Sequence, residues 1–209
     1  MKYIAVTLIF LLSSKLSANN YLAPIAPFDN LYDQVVYDSL IGETQYELFM
    51  ITKENFTPEA AIILTKEYPT NTENGKWYLK EVKASAMIWN WKRINETESV
   101  VDFKKADNVI VKKIEIDPAK YLNIINAWRT AVKLTRYPEQ ANLGLDGTTY
   151  LFCSSYAICG ETWSPREGLA YDLVQLGNLL SSIVKSNKLE SEKRLAKANE
   201  IANKIMKTQ

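Results

Sequence analysis

Four strand-like runs follow one another between Ala60 and Ile116 with no helix among them. A doubly wound parallel sheet needs strands and helices in regular alternation, so this order argues against one and for antiparallel pairing. Ala60 to Tyr68 is rich in Ile, Leu and Thr. Pro69 to Gly75 is a turn cluster that ends in Asn-Gly. Lys76 to Trp91 then alternates, with Trp77, Leu79 and Glu81 on one side and Tyr78, Lys80 and Val82 on the other. Val100 to Phe103 and Val109 to Ile116 supply two more strands.

Helices are expected before and after this block. Asn30 to Ile41 carries Leu31, Val35 and Leu40 with Asp33 and Asp38 between them, a modest amphipathic pattern. Glu47 to Thr52 is a short apolar run that fits a strand or a helix end equally well. Asp117-Pro118 opens a helix with Asp as N-cap, and Leu122, Ile125, Trp128 or Arg129, and Val132 mark its inner face. Pro138 stops it near Tyr137.

Thr148 to Cys153 and Ile158 to Trp163 then read as two strands across a cysteine-bounded loop. Ser164-Pro165-Arg166-Glu167 has the form of a capping box, followed by a stripe of Leu169, Leu173, Leu176, Leu180 and Ile183. Asn187 and Glu190 repeat that signal more weakly. They open a charged helix over 187–209, expected at the periphery, with Leu195, Ala198, Ala202 and Ile205 on one side. The expected fold is α+β: a mainly antiparallel sheet with helices packed on one face and a C-terminal helical pair.

Residues 1–18 read as a cleaved signal peptide. Lys2 supplies the positive start, Ile4 to Leu12 the apolar stretch, and Leu16-Ser17-Ala18 the cleavage site. The apolar stretch is shorter than the roughly 20 residues of a bilayer span. The expected mature chain is therefore a single domain over 19–209, periplasmic or secreted, with no integral membrane span. Two cysteines, Cys153 and Cys159, are then expected to form a disulfide. Closing so short a loop stabilises by about 2 kcal/mol in the chain-entropy model.

There is no histidine. Imidazole-based hydrolases and His-ligated zinc are excluded, and two cysteines are too few for an all-cysteine zinc site. An oxygen-only Ca²⁺ or Mg²⁺ site stays open, but there is no EF-hand spacing, Walker-type glycine loop or G-x-G-x-x-G, so no cofactor or metal residue is assigned. The 25 basic and 24 acidic residues give +1, and loss of Lys2 and Lys15 with the signal brings this to −1. That balance offers no field to attract nucleic acid.

Candidate binding residues fall in two groups. Tyr150, Tyr156 and Trp163 surround the stapled loop, where a cross-link lowers the ordering cost of recognition. Trp89 and Trp91, with Trp77, offer a platform for a sugar ring. In both groups the competing reading is ordinary core. Asp146 and Glu161 are the nearest carboxylate pair for acid–base chemistry, although Asp146-Gly147 is also a plain turn signal. Asn55-Phe56-Thr57 and Asn95-Glu96-Thr97 match the N-glycosylation pattern and read as accidental. No catalytic residue is assigned. The expected function is an exported non-catalytic binding protein, of inhibitor, immunity or envelope-accessory type, whose partner is a protein or glycan of the cell envelope. The alternatives are a carboxylate-dependent envelope glycan hydrolase and a structural envelope subunit.

Overall fold

A computed structural model describes residues 22–25, 30–68, 75–94, 99–136, 147–155 and 158–208, except for the side chains of Asn90, Trp91, Lys92 and Ser99. The segment read as a signal peptide lies outside the described residues.

The fold is α+β. Its main sheet is antiparallel, with seven strands in the order β1 (Ala23–Pro24), β9 (Cys159–Trp163), β8 (Thr148–Ser154), β2 (Leu48–Glu54), β3 (Ala60–Glu67), β4 (Lys76–Ala84) and β7 (Val109–Glu115). A separate hairpin joins β5 (Trp89–Arg93) to β6 (Ser99–Phe103). The ambiguous run at Glu47 to Thr52 is thus a strand, and a central one.

Alternation sorts the apolar side chains onto two faces. On one face Leu48, Met50, Ile62, Leu64, Leu79 and Phe152 pack under three helices. These are α2 (Pro118–Lys133), α3 (Gly168–Val184) and α4 (Lys188–Met206). On the other, Phe49, Ile51, Ile63, Val82 and Leu151 pack against Val36, Leu40 and Ile41 of α1 (Leu31–Leu40) and its end. The C-terminal pair α3–α4 packs together as expected, and Ala198, Ala202 and Ile205 are fully buried. The two alanines let α4 lie close against its neighbours α2 and α3. Gly177 does the same for α3, since a Cβ there would meet the Met50 sulfur at 2.5 Å.

Local signals hold at two helix starts. Asp117 caps α2 by accepting from the Ala119 N–H, and Asn187 caps α4 by accepting from the Glu190 N–H at 3.0 Å. Inside α2 the buried positions are Tyr121, Ile124, Ile125, Ala127, Trp128, Ala131 and Val132, while Leu122 is exposed. The stripe is thus set one residue earlier in the first turn. Arg129 instead reaches Glu47.

The Ser164 start differs from the expectation. Helix α3 begins at Gly168, and its N-cap Glu167 makes no side-chain cap bond. Ser164 still belongs to the sheet. Its N–H donates to the Thr148 carbonyl at 2.9 Å, and its Oγ accepts from the Thr148 N–H at 2.9 Å. It does so at φ 41°, so pairing with β8 has taken the hydroxyl that the pattern assigned to a helix.

The run Lys76 to Trp91 also breaks into β4 and β5. Ala84 and Ile88 both bond Glu59, through its carbonyl at 2.9 Å and its Oε2 at 3.0 Å. That turns the chain off the sheet, so Trp77 lies on the helix-covered face and Trp89 on the separate hairpin.

Candidate functional site

The face carrying α1 and the β5–β6 hairpin holds a cleft of about 370 Å³. Residues from α1, β2, β6, β8 and β9 line it, with Trp89 from β5.

Its floor is an ion cluster. Lys53 near the end of β2 points to the α1 face because it shares parity with Phe49 and Ile51. Its Nζ lies 2.7 Å from Asp33 Oδ1 and 3.0 Å from Glu161 Oε2. Asp33 sits in the first turn of α1, where it complements the helix dipole. Its backbone N–H donates to Asn30 Oδ1 at 2.8 Å, and its Oδ2 accepts from Asn30 Nδ2 at 2.7 Å. Asp33 is only 4% exposed, and both of its oxygens are occupied. Burial works against the Lys53 charge, but the Glu161 and Asp33 carboxylates outweigh it and hold the ammonium above the ordinary lysine range. Lys53 is therefore a fixed cation and not a base.

One wall is aromatic. Tyr32 stacks on Phe103 with ring centroids 5.2 Å apart. Its hydroxyl donates to the buried Glu59 at 2.6 Å. Burial, that hydrogen bond and the charges of Glu59 and Asp33 push the phenol far above its usual range. Tyr32 is thus a neutral structural donor.

At the rim, Phe56 is 75% exposed and adopts φ 64°, and its ring lies 6.3 Å from that of Trp89. A bulky residue in the left-handed region costs on the order of 1 kcal/mol. The tip of the β2–β3 turn carries that strain while holding a large apolar ring in water.

No family model matches the chain, and no curated protein or solved structure matches it either. The functional reading therefore rests on the residues alone.

The cysteines are bonded, as expected, and stand opposite one another as the Cys153↔Cys159 pair of β8 and β9. Both are buried in the α1-side core. The aromatics of the stapled segment do not assemble into one surface. Phe152 is fully buried, and Tyr150 packs beside it against the helix-side core. Trp163 pairs in register with Thr149 on the opposite face, over Gly147, where a Cβ would meet its indole at 2.5 Å. Tyr156 and Asp146 lie outside the described residues, as does the Trp91 side chain. Of the sequence candidates, Trp89 and the carboxylate candidate Glu161 line the cleft.

Asp33, Lys53 and Phe56 carried no local signal of function. Asp33 sat among the polar positions of a helix, and Lys53 at the end of a strand. Only pairing across 20 and 108 residues makes them a cluster. Among the described residues no helix is long and apolar enough to cross a membrane.

Proposed function

We propose that this is an exported, periplasmic or secreted, non-catalytic binding protein that recognises a protein or glycan of the cell envelope through the α1–hairpin face. The observation that carries the reading is the Phe56–Trp89 pair held at the rim of a polar cleft whose buried charges already satisfy one another. An exposed aromatic ring, Phe56, against a half-buried one, Trp89, beside a preformed cavity is an anchor of the kind recognition uses. A matched ion cluster gives that face a fixed shape at little ordering cost. The disulfide fits an oxidising compartment.

The glycan-hydrolase reading fares less well. Asp33 and Glu161 share one ammonium, so they are the two carboxylates that the cleft brings together. Yet both oxygens of Asp33 are bound internally and the group is buried, so it cannot reach a substrate. The structural-subunit reading draws on a different feature, strand β7, which among the described residues pairs only with β4.

The test is retention of material from a solubilised envelope fraction and from purified envelope glycans by the immobilised mature protein. Wild type is expected to retain a partner, and the Phe56→Gly, Trp89→Ala double variant to lose it at least tenfold with an unchanged circular-dichroism spectrum. Equal retention by both would end the proposal. Turnover of a retained glycan by wild type would also contradict it.

A further inference from the structure

Strand β7 closes the main sheet at one end, and among the described residues only β4 pairs with it. Its residues are unusually apolar for an open edge: Val109, Ile110 and Val111 are 37%, 57% and 51% exposed. An edge of this kind is a template for another strand.

The backbone parity is fixed by the two bonds that flank the strand. Asn108 accepts from the Ser85 N–H at 3.1 Å, and the Ile116 N–H donates to Trp77 at 2.9 Å. Even-numbered residues therefore turn their backbone groups toward β4. Val109, Val111, Lys113 and Glu115 turn theirs toward the open edge.

We infer that a second copy of this chain docks there, β7 against β7, antiparallel about a two-fold axis at Ile110. The sequence from Asp107 to Lys113, Asp-Asn-Val-Ile-Val-Lys-Lys, is complementary to itself about that point. Ile110 meets Ile110. Val109 meets Val111 twice, and each of those pairs exchanges two backbone hydrogen bonds through outward-facing groups. Asn108 meets Lys112, and Asp107 meets Lys113. Apolar residues thus face apolar ones, and the charges at the flanks are opposite in sign.

Neighbouring registers do not match. Centring on Val111 sets Ile110 against Lys112 and Val109 against Lys113. Centring on Lys112 opposes two lysines at the axis. The lysines on this edge thus discourage open-ended stacking and leave one closed pairing. The product is one continuous sheet of two subunits, with both clefts retained. This inference does not depend on the binding role of the cleft.

The experiment is sedimentation velocity of the full mature protein over a concentration series, with Ile110→Lys and Ile110→Glu variants. The side chain is more than half exposed, so both variants are expected to keep the monomer fold, checked by circular dichroism. Wild type is expected to dimerise. Each variant alone places like charges at the axis and is expected to weaken the dimer at least tenfold. An equimolar mixture of the two places Lys against Glu and is expected to restore a heterodimer. Wild type that stays monomeric at every concentration overturns the inference. So do variants that dimerise as well as wild type. A mixture that fails to re-form the dimer overturns the Ile110 axis.

Discussion

The Lys53 ammonium sits 2.7 Å from the Asp33 carboxylate, with only 9% and 4% of the two side chains exposed. This pair joins the central strand β2 to the first turn of α1, and Glu161 extends it to β9. It anchors one wall of the cleft.

Breaking the pair from one side leaves a buried charge without its partner. Lys53→Met is expected to cost about 3–5 kcal/mol in urea denaturation. The combined Lys53→Met, Asp33→Asn change removes both charges and is expected to recover most of that loss. A single variant within 1 kcal/mol of wild type would show that the cluster is not closed to water.

Alkaline stability follows from groups whose folded pKa lies above the unfolded one. Burial pushes the Tyr121 phenol up to about 12, and Tyr46 is likewise pushed to about 12 by burial first and Tyr37 second. Lys53 is also raised. The unfolded chain gives up these protons first, so this stability is fully present below about pH 10 and is lost as pH climbs toward 12. Each buried tyrosine contributes a slope of about 1.4 kcal/mol per pH unit in that window. Urea midpoints that stay flat from pH 9 to pH 11.5 would contradict the assignment.

Phe56 separates strain from recognition. Glycine adopts φ 64° without cost, and the ring is mostly exposed. Phe56→Gly is therefore expected to leave stability unchanged or raise it by up to about 1 kcal/mol, measured by thermal melting. The same change is expected to weaken partner binding at least tenfold. A clear loss of stability would mean that the ring packs in the core.

Ser164 tests the sheet reading of a helix-like motif. Ser164→Ala removes the acceptor of the Thr148 N–H and is expected to cost about 1 kcal/mol, with faster hydrogen exchange at Thr148. Were the loss seen at the amides of α3 with Thr148 unchanged, Ser164 would be a helix cap after all.

That position also shows what the sequence could reveal. Alternation at Trp77, Leu79 and Glu81 set the faces of β4, and Asp117 and Asn187 set two helix starts, because each of those signals is local. The Ser164 motif carried a local signal too, but strand pairing across 16 residues outcompeted it. The cleft was largely hidden for the same reason. Only Trp89 and Glu161 stood out, since a lone Asp in a helix or Lys in a strand reads as solvent-facing until its partner is located. The stapled loop looked like a binding tip because a cross-link and aromatics sat together. The fold uses Cys153, Cys159 and Phe152 as core instead.

The most direct measurement is hydrogen–deuterium exchange of the mature protein with and without its retained envelope partner. The account predicts new protection at Asn55 to Thr57, at Trp89 and at Val101 to Phe103, around the cleft rim. Protection confined to Ser154 through Cys159, at the stapled turn, would contradict it.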